Sequence, residues 1–298
     1  MDEELNTTYV TLDGYIEVNK YRYVYFCIIF TLYIIIICSN STIVYVIWIH
    51  KNLHEPMYIF IAALLLNCLL YSTTIYPKLL IDFLSEKQVI TYSACLFQFF
   101  MFYTLGSSEF FLLAAMAYDR YVAICKPLEY PTIMNKTTVS IFLVVSWLIP
   151  AFHVAVQAIG RIFCNNSFYR LQCVPSVVIS IYGVVMLINI ALLPMLFILF
   201  SYIRILRISY NCCRETRRKA LKTCLPHLLV LINFSCFFFF DIIIVRLESD
   251  LSNTLRLTLT FQSILFHPLL NPIIYGLKMN EIFKHIKILL STLLTTRR

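Results

Sequence analysis

Residues 23–49 contain no Lys, Arg, Asp or Glu, and the same holds for 56–77, 88–108, 137–160, 171–203, 223–240 and 257–277. These runs hold 27, 22, 21, 24, 33, 18 and 21 residues. A helix needs ~20 apolar residues to cross a bilayer. One such run could be a buried core helix. Seven of them, separated by short charged connections, predict a polytopic helical bundle. Strands of a membrane barrel would be about 10 residues long and would alternate in polarity; these runs do neither.

The expected fold class is therefore an all-α membrane protein: one domain, a seven-transmembrane-helix bundle. Its spans are expected at approximately 23–49, 56–80, 88–121, 137–160, 174–205, 220–245 and 255–277, after an outer tail over 1–22. Residues 279–298 are expected to form a cytoplasmic helix and tail. Within 279–290, Ile282, Phe283, Ile286, Leu289 and Leu290 recur at helical spacing with Lys284 and Lys287 between them. That pattern suits a short amphipathic helix lying against membrane lipids.

Charge sets the orientation. With the N-terminus outside, the inner segments hold 16 of the 24 Lys and Arg residues. Inner loops favour positive charge, so this orientation is preferred two to one. The net charge of +8 is mostly a topology signal. A nucleic-acid partner would need a basic face on a soluble domain, and none is predicted. The basic run Arg214–Lys222 reads as a topology signal or as a contact for acidic surfaces and lipid headgroups. Composition narrows the class further. The chain is 60% apolar and 13% charged, against ~25% charged in soluble domains. A disordered chain and a soluble enzyme domain are both disfavoured.

Residues 1–20 are polar and acidic, so no cleavable signal peptide is expected and the first span acts as its own insertion signal. Asn6-Thr7-Thr8 is a glycosylation sequon on the outer tail. Asn165-Asn166-Ser167 in the second outer loop is a weaker one.

No phosphate-binding glycine loop, zinc-spaced Cys/His set or nucleophile elbow is present. No enzyme activity, cofactor or metal is expected. The informative residues are polar groups in the spans, where charge is costly and marks function by default. Glu109 lies deep in span 3, and Asp119-Arg120-Tyr121 closes that span. Glu109 and Arg120 are 11 residues apart, about three turns, and so share one helix face. Taken alone, Arg120 serves equally well as a positive-inside anchor.

Met116-Ala-Tyr-Asp-Arg-Tyr-Val-Ala-Ile-Cys125 resembles the signature of the olfactory receptors, a branch of the rhodopsin-like G-protein-coupled receptors. The resemblance covers essentially the whole chain. Leu53-His54-Glu55-Pro56-Met57-Tyr58 is similar to the motif at the start of span 2, and Ser201-Tyr202 to that near the inner end of span 5. Lys219-Ala220, Thr223-Cys224 and His227 match the entry to span 6; Pro268-Leu-Leu-Asn271-Pro272-Ile-Ile-Tyr275 matches span 7. Leu53–Tyr58 and Asn233-Phe234-Ser235 are closer in flavour to fish-type odorant receptors. Three departures stand out. Ser39-Asn40 replaces a usual Gly-Asn; Asn67-Cys68 occupies the place of a span 2 acid; Phe234-Ser235-Cys236 stands where many members have Phe-Tyr-Gly.

The resemblance implies a receptor for a small-molecule odorant that activates a stimulatory, cAMP-raising heterotrimeric G protein from the plasma membrane of olfactory neurons. A rhodopsin-like receptor for another small ligand is the alternative. A transporter is disfavoured, because transporters show paired repeats and Gly- or Pro-broken spans. The resemblance also assigns roles. Asp119, Arg120, Tyr121, Tyr202, His227, Asn271, Pro272 and Tyr275 fall to the G-protein-coupling switch. It pairs Cys95 with Cys173, which leaves Cys164 a free thiol. Asn40, Asn67 and Glu109 are intramembrane polar positions. The resemblance suggests a sodium ligand at Glu109 together with a span 2 acid, and that acid is missing. A lone carboxylate in the bundle is expected to be protonated and hydrogen-bonded, with Ser72, Asn67 and Asn271 as neighbours.

The ligand pocket is expected in the outer half, between spans 3, 5 and 6. Phe102 is five turns above Arg120; Gly106 lies within about 40° of that line and Tyr103 flanks it. Phe234, Phe238 and Asp241 follow His227 on one stripe of span 6. Tyr182, Met186 and Ile190 recur every four residues in span 5. Such stripes serve packing as readily as binding. Gly106 favours a cavity, and Asp241 either faces it or pairs with Arg246.

Overall fold

A computed structural model describes residues 9–11, 21–85, 89–162, 177–210, 218, 224–236, 268–277 and 279–295. Its long helices are α1 (Arg22–Ile49), α2 (Pro56–Leu84), α3 (Tyr92–Cys125) and α5 (Lys136–Ile162), with a one-turn α4 (Tyr130–Ile133) between the last two. Span 5 is α6 (Val177–Leu187) and α7 (Leu193–Tyr210), joined through a π-helical turn, Ile188–Leu192. Two shorter apolar helices follow, α8 (Cys224–Cys236) and α9 (Pro268–Leu277), and then α10 (Asn280–Thr295). Among the described residues, five helices are long and apolar enough to cross a membrane.

Local chemistry sets the boundaries. Pro56 opens α2, where its missing N–H costs nothing. The Thr91 hydroxyl caps α3 by accepting from the Ala94 amide at 3.4 Å. Asn135 caps α5, accepting from the Thr138 amide at 2.9 Å. The π turn precedes Pro194. Proline offers no N–H to the carbonyl four residues back, and the turn widens there.

α3 is the hub. It packs against α2, α5, α7 and the π turn, while α1 packs on α2 and α10. The outward faces are apolar: Ile28, Phe30, Ile34, Trp48, Phe152 and Phe200 are all exposed. A soluble surface would not carry such a belt. This is a multi-pass membrane protein. Where α9 meets α1, a Cβ on Gly276 would touch Ile43 Cδ1 at 3.4 Å and Ile286 Cδ1 at 3.8 Å.

Several boundaries differ from those read in the sequence. α2 runs to Leu84 rather than 80, and α3 spans Tyr92–Cys125 rather than 88–121. At the end of the bundle where α3 begins, Tyr9–Thr11 (β1) pairs antiparallel with Val89–Thr91 (β2), Val10 opposite Ile90. The expected outer tail thus contains a strand. Two-residue periodicity over three residues is too short to announce one. In α10, Ile282 is buried and Ile286 and Leu289 are half-buried, whereas Phe283, Lys284 and Lys287 stay exposed.

Candidate functional site

At the Arg120 end of the bundle, Asp119 is fully buried. Its Oδ2 accepts from Arg120 Nε at 2.8 Å and also from Arg120 Nη2. Its Oδ1 accepts from the Tyr130 hydroxyl at 2.7 Å. Burial, and then the Asp119 charge, pushes the Tyr130 phenol above its ordinary range, so it remains a neutral donor. Tyr202, His227 and Tyr275 are buried nearby, and Tyr121 is half-buried. Tyr275 Oη lies 3.4 Å from His227 Nδ1 and 4.0 Å from Met116 Sδ. The Tyr202 hydroxyl and His227 Nε2 are buried with no hydrogen-bond partner among the described residues. A buried orphan costs ~1–3 kcal/mol, so this arrangement leaves bonding capacity for a different one.

A polar cluster crosses the bundle core. Asn67 Nδ2 donates to the Leu105 carbonyl at 2.8 Å and to Glu109 Oε1 at 3.4 Å. Cys68 Sγ donates to the same carboxyl oxygen at 3.6 Å. Asn271 Nδ2 donates to Cys68 Sγ at 3.1 Å, and Trp147 Nε1 to Asn67 Oδ1 at 3.0 Å. Asn67 and Asn271 thus both reach Glu109, the second through the thiol. Ser72 is buried, but no hydrogen bond of its hydroxyl is found among the described residues. Asn40 donates to the carbonyls of Ile36 and Pro268, at 2.8 and 3.1 Å, which ties α1 to the start of α9. Pro272 is buried in α9, four residues further on.

In the outer half, Phe102 and Tyr103 are half-buried and meet edge to face at 5.1 Å. Phe102 also lies 5.2 Å from the Tyr71 ring. A Cβ on Gly106 would touch only Tyr71 Cε2, at 3.8 Å. The glycine therefore leaves room rather than enforcing contact. Phe234 packs on Phe110, ring centroids 4.6 Å apart, below this space. Ile190 is buried and Met186 half-buried. Tyr182 donates to the His153 carbonyl at 3.1 Å, so it meets α5. Tyr182 and Met186 lie together in α6, while Ile190 sits within the π turn. The π turn intervenes, and one extra residue in a turn rotates what lies above it by about 100°.

A sequence model of the olfactory receptor family matches residues 26–292. The chain belongs to that family. It is similar to human olfactory receptor 13C2, 33% identical over 293 residues that cover 90% of each chain. It is also similar to human olfactory receptor 10A2, at 34% over 85% of this chain and 88% of that one. Mouse olfactory receptor 4B13 is 33% identical over 94% of this chain and 95% of that one. Members of this family are signalling receptors and not enzymes.

Asn6, Cys164, Asn165, Cys173, Phe238 and Asp241 of the receptor lie outside the described residues. Cys95 is buried at the start of α3 and makes no disulfide among the described residues, which do not include Cys173. Sequence reasoning missed Tyr130, Trp147 and the Lys78–Asp82 ion pair at the outer end of α2. Only the last carried a signal, namely opposite charges four residues apart.

Proposed function

We propose that this receptor binds a small odorant in the outer half of a seven-span bundle and activates a stimulatory, cAMP-raising heterotrimeric G protein at the inner end. The N-terminus faces outward, and the receptor works at the plasma membrane of olfactory neurons. The chain is one domain, with α8 and α9 belonging to spans 6 and 7. Family membership supports the odorant and the G protein. The observation that carries the mechanism is the bonded trio Asp119, Arg120 and Tyr130. It holds the arginine at the inner end of α3, where a G-protein segment would meet it.

Outward movement of span 6 would carry His227 away from Tyr275. Tyr202, Tyr275 and Arg120 would then exchange partners, and the orphaned Tyr202 hydroxyl would gain one. Asn271 and Pro272 set the bend of span 7 that brings Tyr275 to this place, and Tyr121 borders the opening. Phe102, Tyr103, Gly106, Met186 and Ile190 line the odorant space, and Phe234 lies beneath it. Phe238 and Asp241 extend it along span 6, and Tyr182 closes it towards α5. Cys95 pairs with Cys173 across the outer loop, and Asn6 is glycosylated. Glu109 is a structural acid rather than a sodium ligand, because thiol and amide donors stand where a second carboxylate would be needed.

The test is an odorant panel on cells expressing the full chain, with cAMP as readout. An odorant-evoked rise is expected, lost in Arg120→Ala at near-normal surface expression. A surface-expressed receptor silent to a broad panel would overturn the reading. So would an Arg120→Ala variant that signals fully.

A further inference from the structure

The inner switch and the aromatic wall leave Lys78 and Asp82 unexplained. Both lie in the last two turns of α2, and Lys78 Nζ donates to Asp82 Oδ1. Asp82 is 7% exposed and Lys78 22%. Helical phase and contacts together fix which way Lys78 faces. Asn67, Tyr71 and Thr74 stand 11, 7 and 4 residues before it, on one face of α2. Each meets α3. Asn67 bonds the Leu105 carbonyl, the Tyr71 ring lies against Phe102, and the Thr74 carbonyl accepts from Gln98 Nε2 at 3.4 Å. The α3 partners climb as α2 ascends, and Lys78 comes within electrostatic reach of Cys95. The ammonium therefore lies towards the α2–α3 side, about two turns beyond Tyr71 and just after Pro77.

Its depth suits exchange with water. Lys78 is 22 residues beyond Pro56. At ~1.5 Å per residue that is roughly 33 Å, the far edge of a ~30 Å hydrocarbon core. An ammonium carries three donor hydrogens. Asp82 takes one of them.

We propose that Lys78 is the anion-recognising residue of the odorant site and that the receptor responds to small amphipathic carboxylates. The ligand carboxylate accepts from Lys78, and its apolar or aromatic body lies against Tyr71, Phe102 and Tyr103. Asp82 competes for the same ammonium and so sets the threshold. This inference rests on the odorant-receptor reading above.

The probes are hydrocinnamate and its neutral counterpart, hydrocinnamyl alcohol. They are applied to cells expressing the full chain, with surface labelling and cAMP as readouts. Hydrocinnamate should activate the wild type. Lys78→Met should raise its half-maximal concentration at least about tenfold, the scale of one lost charge-assisted bond. Lys78→Arg should stay within a few-fold of wild type. Asp82→Asn should lower the half-maximal concentration, because it removes the competitor. Any response to the alcohol, which offers a neutral acceptor, should shift by much less than the response to hydrocinnamate in all three.

A purely structural ion pair predicts otherwise: Lys78→Met and Asp82→Asn would weaken both probes alike, and that result overturns the inference. So does unchanged hydrocinnamate potency in Lys78→Met. So does a wild type that answers neutral odorants but no carboxylate, although the odorant-receptor reading then stands. If the surface-expressed wild type answers no odorant at all, both readings fail.

Discussion

Tyr130→Phe isolates one bond of the inner switch. The substitution keeps the ring, and with it the packing of α4 on α3, and removes a single hydroxyl. That hydroxyl donates at 2.7 Å to a fully buried carboxylate. A hydrogen bond to a charged group is worth about 1.5–3 kcal/mol. If the contact exists only in the resting arrangement, its loss moves the active-to-resting ratio by that amount, roughly 10-fold to 100-fold. From a resting receptor that is ~1% active, this gives roughly 10–50% active without ligand. Basal cAMP, normalised to surface receptor, should rise several-fold at least, while the concentration dependence of any agonist moves to lower values. The cost to the unliganded receptor should appear as a lower melting temperature that agonist partly restores. Unchanged basal cAMP at normal surface expression would refute this reasoning. An equal loss of stability with and without agonist would do the same, because the bond would then be indifferent to the state.

Three other substitutions probe separate contacts. Glu109→Ala removes the acceptor of both Asn67 and Cys68 and should cost about 1–3 kcal/mol in thermal unfolding of the purified receptor, whereas Glu109→Gln, which keeps an acceptor oxygen, should cost well under half of that; equal losses would show that the donors do not matter. Gly106→Ala should leave agonist potency nearly unchanged, since its Cβ meets only Tyr71 Cε2 at 3.8 Å, while Gly106→Leu should fill the space and lower potency at least about tenfold; wild-type potency in the leucine variant, measured on chemically distinct agonists, would move the pocket elsewhere. The docking of α10 should weaken in acid. His285 stacks on His50 at 3.9 Å and its Nε2 accepts from Asn52 at 3.1 Å, and desolvation followed by the His50 charge holds its imidazole below the ordinary histidine range. A base held neutral in the folded protein supplies stability above its ordinary titration point near ~6.5 and loses it as pH falls through that value. Amide protection factors in α10, taken against the intrinsic base-catalysed exchange rate, should therefore fall as pH drops below about 6.5, and His285→Gln should reduce that dependence; protection factors that ignore pH in the wild type would sink this account.

How far the fold could be read in advance depended on what ended each helix. α1 covers Arg22–Ile49 between the charges of Arg22 and Lys51, and α5 starts at its Asn135 cap. α2 runs four residues further than read. The reading ended the span soon after Lys78, yet Lys78 and Asp82 neutralise each other within one turn and the helix continues through them. α3 continues to Cys125 because Val122 is still buried. The π turn escaped for a different reason. Pro194 was visible, but the direction in which a chain yields to a missing N–H is decided by its neighbours, and helical periodicity assumes that it does not yield at all.

The polar core had a similar limit. Asn67, Glu109 and Asn271 were legible one at a time as polar positions in apolar runs, since charge and amide groups are conspicuous there. Their partnership was not. Asn67 uses both amide hydrogens on α3, for Leu105 and Glu109, and its oxygen on Trp147 of α5. No spacing rule connects a residue of span 2 with an indole 80 positions later. In lipid the hydrophobic effect does not draw one helix to another, so close packing and such interhelical bonds must specify which faces meet. A single asparagine that engages three groups on two neighbouring helices fixes the rotation of α2 about its own axis. That rotation is what turns Tyr71, Thr74 and Lys78, on the same stripe, towards α3. The outer recognition seam is therefore set from the core below it.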